Sequence, residues 1–427
     1  MTNTQKEVLQ FIKEQDVRFV RLVFCDIFGH IKNLSISEDE LDRAFATGIS
    51  FDASAVKGFL QVDESDLLLF PDPSTLAILP WRPAQGRVVR FFCSIRRPDG
   101  TPFEGDGRSL LEAKVREAEL SLFKFGVGPE CEFYLFKMGD DGLPTYRPLD
   151  NGTYLDVAPL DKGENVRREI CLTLQQMGFH TERSHHESGP GQNEIDFKYS
   201  PALEAADNFI TFKSVVKTIA DRSGLFASFL PKPLAHESGS GLHINLSLSC
   251  DGEQQTQRLE EAMTEGILRR IKEITLFLNP LANSYERLGA CEAPRHVGWG
   301  RANRSLLIRI PQTSGEYRRI EVRSPDPACN PYLAITLLIS AALEGVKDNL
   351  KASEEYLGDA YQKLSGEMLP SSLGEAIDLA QKSEFVRSVI PERLLTFFLE
   401  AKMADWKRYE SSIDKMQESR APFFLTT

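Results

Sequence analysis

The stretch Ser184-His185-His186-Glu187-Ser188-Gly189-Pro190-Gly191-Gln192-Asn193-Glu194 places carboxylates on both sides of a Gly-Pro-Gly break. Glycine tolerates unusual dihedrals and proline fixes one, so the backbone can bend or reverse there and bring Glu187 and Glu194 together. Two converging carboxylates repel unless a proton or a cation lies between them, and a hard divalent cation is the first chemistry this spacing suggests. Three other segments carry polar groups two residues apart, the spacing that puts side chains on one face of a strand. They are Glu130 and Glu132; His243, Asn245 and Ser247; and Arg319, Glu321 and Arg323. Each has mostly apolar residues on its opposite face. Any one polar face taken alone reads better as a solvated sheet surface. Three such strands together with the Glu187/Glu194 pair favour one polar sheet face lining a cleft. Five glutamates and one histidine suit Mg²⁺ or Mn²⁺ better than Zn²⁺, because oxygen ligands dominate. Arginines beside them suit carboxylate or phosphate groups. No Walker-type phosphate loop is present, and Gly239-Ser240-Gly241 is a weak phosphate signal that also reads as a turn before a strand. Metals plus several arginines point to phosphoryl transfer, whose barrier falls through positioning and charge neutralisation.

The elements that must hold these groups follow from periodicity. Helical patterns cover residues 7–15, 108–124, 164–177, 203–222, 257–277, 331–348, 372–382 and 391–414, with a capped helix from Ser37 through Phe45. Strand patterns cover 19–36 as a pair, then 67–70, 77–79, 87–93, 127–137, 193–199, 241–249, 305–310 and 318–323. Helices and strands do not alternate regularly, which predicts an α+β fold rather than a doubly wound sheet. The turn at Arg97-Pro98-Asp99-Gly100 divides a small, mostly β domain, 1–100, from a second domain, 101–427.

Composition bounds the function. The chain has 427 residues, 41% hydrophobic and 26% charged, with a net charge of −12. That charge disfavours binding to nucleic acid or anionic membranes. Seven cysteines without a C-x-x-C pair suggest free thiols and a cytoplasmic setting. The N-terminus shows no signal-peptide pattern, and the apolar run Leu333 to Leu343 falls short of the ~20 residues of a membrane span, so it reads as a buried helix.

Ordered motifs then carry a resemblance. Glu64-Ser65-Asp66, Gly128-Pro129-Glu130-Cys131-Glu132-Phe133, Ser184-His185-His186-Glu187, Pro231-Lys232-Pro233, Gly239-Ser240-Gly241-Leu242-His243, Asn303-Arg304-Ser305, Arg319-Ile320-Glu321-Val322-Arg323 and Asn330-Pro331-Tyr332 run nearly end to end. They resemble the glutamine synthetase family, type I. The resemblance implies an N-terminal β-grasp domain and a catalytic domain with a curved antiparallel sheet and flanking helices. It implies a homo-dodecamer whose active sites lie between subunits. By position, Glu132, Glu187 and Glu194 would hold one Mg²⁺ or Mn²⁺, and Glu130, His243 and Glu321 the other. Glu182, Asn245, Ser247, Arg304 and Arg309 match positions that contact the nucleotide, ATP. Gly239, Arg287, Glu292 and Arg323 match positions that contact L-glutamate. Asp52, from the neighbouring subunit, matches the group that deprotonates ammonium. Glu292 matches a flap residue that shields an acyl phosphate, and Arg304 belongs to the catalytic set.

Departures from the family pattern cluster near the amine and glutamate sites. A serine that helps bind ammonium is Ala55, the Asn before Gly-Ser-Gly is Ser238, and the flap from Arg287 to Glu292 is one residue shorter. An arginine that relays feedback inhibition in some relatives is Gln61, and the C-terminal His-Pro-Trp-Glu motif is replaced by Asp414-Lys415-Met416-Gln417. Tyr356 and Tyr361 lie in a rewritten region with no identifiable modification tyrosine. Three readings follow: a glutamine synthetase, a ligase joining glutamate to an organic amine, and a non-catalytic structural or regulatory homologue.

Overall fold

The computed structural model describes residues 3–250, 256–290, 292–313, 318–362 and 366–427. The N-terminal strands are β1 (Val17–Cys25), β2 (Ile31–Ser37), β3 (Ile49–Asp52), β4 (Asp66–Pro71), β5 (Ala77–Ile78) and β6 (Arg87–Arg96). They form one sheet in the order β2-β1-β6-β4-β3, with β5 also on β6. The central β1 and β6 run parallel, Val20 opposite Val89, and both strands are largely buried. The short helix Leu41–Thr47 covers the sheet and ends at Gly48, whose φ of 75° needs no Cβ.

The second sheet has ten strands: β7 (Phe123–Met138), β8 (Pro144–Pro148), β9 (Thr181–His186), β10 (Gln192–Phe197), β11 (Ser200–Pro201), β12 (Leu225–Ser228), β13 (Leu242–Cys250), β14 (Trp299–Arg301), β15 (Ile308–Ile310) and β16 (Ile320–Val322). Its path is β14-β15-β16-β13-β7-β10-β9, antiparallel except for the parallel β14/β15 pair. The fold is α+β, as the sequence pattern predicts. β7 is the spine, pairing with β8, β10, β11, β12 and β13.

Helices support the back of this sheet. Residues 331–343 are buried almost without a break, so the apolar run is the core of helix Pro331–Lys347 and not a membrane span. That helix packs against Gln257–Leu278, and a Cβ on Gly345 would stand 2.0 Å from the Ala262 carbonyl oxygen. Only glycine permits so close a crossing. Asn330 caps the helix by accepting from Tyr332 N at 3.0 Å and donates to the Ile27 carbonyl at 3.1 Å, tying it to the N-terminal domain. Arg108 strengthens the same junction, with Asp72 and Asp207 each 2.8 Å away. No helix among the described residues is long and apolar enough to cross a membrane.

The main differences from the sequence pattern are additions. β9, Thr-Glu-Arg-Ser-His-His, has no apolar alternation to announce it; it forms because β10, buried at every position, needs a partner on its free edge. Strands β8 and β12 and helices Glu384–Val389 and Lys415–Phe424 also escape the periodicity reading. Strand patterns at 305–310 and 318–323 shorten to β15 and β16. The polar segment 251–255 after β13 lies outside the described residues.

Candidate active site

Sheet register brings the carboxylates together. His243 on β13 lies opposite Glu130 on β7, which lies opposite Asp196 on β10. One step along, Glu132 lies opposite Glu194, which lies opposite His185. Glu321 on β16 lies between Asn245 and Arg309. Glu187 follows β9, where its N–H donates to the Gln192 carbonyl at 2.9 Å and Gly191 adopts a φ of 67°. The Gly-Pro-Gly break therefore reverses the chain and gathers Glu187 and Glu194, together with His185, so that their ligand atoms lie within 4.8 Å of one another.

Glu130, His243 and Glu321 form a second group within the same 4.8 Å limit. Glu321 is fully buried and answered by positive charge: Arg323 donates to it at 2.6 Å and Arg309 donates to its other oxygen. Burial opposes its ionisation, but Arg323 and His243 hold its carboxyl below the ordinary range. Burial raises Glu130 too, and the hydrogen bonds from His243 and Asn245 outweigh it and hold the group down at about 2. Burial, with Arg323 adding, lowers His243, which favours the neutral imidazole a metal requires.

Glu132, Glu187 and Glu194 differ. Burial, with the Glu187 charge adding, pushes Glu132 up to about 8; Arg287 and the Gly241 N–H offset this only in part. Glu194 rises well above its ordinary value through burial and the Glu132 and Asp196 charges. Glu187 stays below its ordinary value, because the His185 and Ser188 hydrogen bonds outweigh burial. Such a set binds either protons or a cation. Buried carboxylates with a neutral imidazole nearby are the donors that Mg²⁺ or Mn²⁺ takes, so the residues present fit the implied metals.

Two cavities meet over this floor. One, of about 490 Å³, is lined by the metal-type carboxylates and by Gly239, Arg287, Glu292, Arg304, Arg309, Arg323 and Tyr361. The other, of about 550 Å³, is lined by Glu182, Asn245 and Ser247 together with Asp196, Tyr199 and Arg318. Glu130, Arg183 and Arg319 line both. Of the five residues matched to the nucleotide, Glu182, Asn245 and Ser247 thus line the second cavity, while Arg304 and Arg309 line the first. Asn245 orients neighbours, donating to Glu130 at 3.0 Å and accepting from Arg319 at 2.9 Å. Gly239 must be glycine, since a Cβ there would stand 2.5 Å from the Pro231 carbonyl oxygen. Arg287 lines the cavity but is 2% exposed, and its guanidinium donates to the carbonyls of Ser324, Pro325 and Arg323. Glu292 reaches the cavity from a backbone φ of 70°, a conformation costly for a side chain with a Cβ. Asp52 lines neither cavity. It ends β3 on the N-terminal domain, exposed, with its carboxylate accepting from Ser54 N at 2.9 Å and Ser54 Oγ at 2.6 Å.

The structure gives contacts or a place at the site to residues that the sequence reading left without an assigned role. Asp196 shares a face with Glu194, a spacing legible in sequence, and pairs with Arg183 at 2.8 Å. His185 hydrogen-bonds Glu187 at 3.1 Å. Tyr361, which the sequence places only in a rewritten region, lines the first cavity.

The sequence matches the family description "Glutamine synthetase, beta-Grasp domain" over residues 16–98 and "Glutamine synthetase, catalytic domain" over residues 104–420. The chain belongs to the glutamine synthetase family. A protein named glutamine synthetase from Methanosarcina mazei is 45% identical over 434 residues, covering 98% of this chain and 97% of that relative. One of the same name from Clostridium saccharobutylicum is 40% identical, covering 96% of each. Among solved structures, a GmaS/ADP complex superposes with a TM-score of 0.87 at 27% identity, covering 96% of this chain and 98% of that one. These likenesses span both sheets of this family member.

Proposed function

We propose that the chain joins ammonia to the γ-carboxylate of L-glutamate at the expense of ATP, through a γ-glutamyl phosphate, releasing glutamine, ADP and phosphate. The observation that carries this reading is the pair of carboxylate clusters where the two cavities meet. ATP occupies the cavity of Glu182, Asn245 and Ser247, which shares Glu130 with the other cavity. Glutamate occupies the other, its carboxylates near Arg287 and Arg323. Glu132, Glu187 and Glu194, and Glu130, His243 and Glu321, would hold divalent ions, which would supply charge neutralisation at the transferring phosphoryl group. Arg304, Arg309 and Arg319 add positive charge from the protein itself. Glu292, extended into the cavity, shields the acyl phosphate from water and accepts a proton. Asp52 lies away from its own cavities, which accords with delivery from a neighbouring subunit of a homo-oligomer, where it deprotonates ammonium.

Ala55, beside Asp52, favours a second reading in which the acceptor is an organic amine, since a hydroxyl that would bind a cation is absent and its loss costs about 1 kcal/mol. Phosphate release from ATP with Mg²⁺ and glutamate distinguishes the two. We expect saturable turnover with ammonium exceeding that with any of a panel of primary amines. Saturable turnover with an amine and none with ammonium would establish the second reading instead.

A further inference from the structure

We infer that Arg183 is a built-in cation at the junction of the two cavities, standing where a third divalent ion would otherwise bind, an inference that rests on the two-ion reading above. The carboxylates over which the cavities meet form three groups. Besides Glu130, His243 and Glu321, and His185, Glu187 and Glu194, the side chains of Glu130, Glu194 and Asp196 have ligand atoms within 4.8 Å of one another. Glu130 and Glu194 in this third group already belong to the other two, so Asp196 is the carboxylate left over. It is 2% exposed, and neither of its oxygens has a hydrogen-bond donor among the described residues. A buried carboxylate without donors needs a positive charge beside it.

Sheet register supplies that charge. Arg183 on β9 lies opposite Asp196 on β10, Asp196 opposite Glu130 on β7, and Glu130 opposite His243 on β13. Opposed residues of an antiparallel sheet share a face, so this row crosses the floor of the site from a permanent cation to an imidazole. Arg183 Nη2 stands 2.8 Å from Asp196 Oδ2 and 3.8 Å from Glu130 Oε1. Among the described residues no other cation is in ion-pair contact with Asp196. Arg183 lines both cavities, and its side chain is 60% exposed, so the guanidinium rests on Asp196 and is otherwise open to a ligand. Mg²⁺ on Asp196 would need the oxygen at about 2.1 Å, in the space that the guanidinium holds and against its charge. The guanidinium also stays protonated at any working pH, and its planar N–H donors match phosphate oxygens. Arg183 thus gives the junction a positive charge that needs no metal, beside the path of the ATP polyphosphate from one cavity to the other.

The test is Mn²⁺ titration of the metal-free, full-length protein without nucleotide, with bound ions counted by electron paramagnetic resonance. We expect two ions per chain in the wild type, three in Arg183→Ala and in Arg183→Gln, and two in Arg183→Lys, which keeps the charge. The third ion should be lost again in the double variant Arg183→Ala/Asp196→Asn. Because the Arg183 side chain is 60% exposed, its single variants should keep the wild-type circular dichroism spectrum. Two ions in the wild type and still two in both Arg183→Ala and Arg183→Gln would overturn the inference and leave the two-ion reading intact. A third ion in the wild type, or one that persists in the double variant, would overturn it equally. Fewer than two ions in the wild type would sink the two-ion reading, and the inference with it.

Discussion

Two clusters of acidic and histidine side chains lie close together in this protein, and they behave in opposite ways. Asp150, Asp161 and His186 have ligand atoms within 4.8 Å of one another, as do His185, Glu187 and Glu194. In the first cluster every charge has an internal answer. Asp150 accepts from Gly152 N at 3.1 Å, Gly191 N at 2.9 Å and Lys162 N at 2.9 Å, and pairs with His186 at 2.9 Å. Arg167 grips both oxygens of Asp161. The second cluster adjoins Glu132, and burial and mutual repulsion push Glu132 and Glu194 upward. Proximity of ligand-type atoms is thus a poor criterion for a metal site. The balance of donors and charges decides: it satisfies the Asp150 cluster from within the protein and leaves the Glu132 cluster as the candidate cation site of the reading proposed above.

The largest expected effect follows from removing carboxylates on the cation side. Glu321→Ala and Glu194→Gln should each lower turnover with ammonium at least about 1000-fold, roughly 4 kcal/mol of barrier, with circular dichroism unchanged. Retention of a tenth of the wild-type rate by either would break the assignment.

On the Asp150 side the expected change is in stability. Asp150→Asn leaves His186 without its carboxylate and should cost about 3 kcal/mol, read as a lower denaturation midpoint. If it instead lowered Mn²⁺ affinity with stability untouched, Asp150 would belong to the metal site and the contrast would fail.

A smaller effect concerns pH in the metal-free protein. The folded-state value of Glu132 is raised from 4.5 to about 8. The folded chain therefore holds a proton that the unfolded chain releases, and the stability this gives is present below about pH 4.5 and lost as pH rises through about 8. Asp150 has the opposite sign: burial opposes its ionisation, but His186 and the backbone N–H groups hold it low, so its contribution is lost on acidification below the ordinary carboxylate range. Melting temperatures of chelated protein should fall from pH 5 to 8, and excess Mg²⁺ should flatten that slope by binding the ionised carboxylates. A slope unaffected by Mg²⁺ would remove Glu132 from the metal site.

Much of the candidate cation site is legible in the amino-acid sequence, and for physical reasons. Glu130, Glu132, His243 and Glu321 sit on strands, where alternation fixes which side chains share a face, and a Gly-Pro-Gly turn announces the reversal that joins Glu187 to Glu194. The buried helix at Leu333–Leu343 is similarly plain from composition. The Asp150 cluster is not, because Asp150 and Asp161 lie in irregular segments and meet His186 only through tertiary packing. His185 and His186 look equivalent as neighbours, yet one faces Glu194 and the other turns into the core against Asp150. Strand β9 escaped for the same reason: nothing local in its sequence encodes the partner that places it.

The most direct test of the two-cluster account is the number of Mn²⁺ ions bound per chain, measured by electron paramagnetic resonance titration of metal-free protein. The account predicts two ions per chain in the wild type and in Asp150→Asn at matched folded fraction, and one fewer in Glu194→Gln and in Glu321→Ala. Two ions retained in both glutamate variants, or one lost in Asp150→Asn, would contradict it.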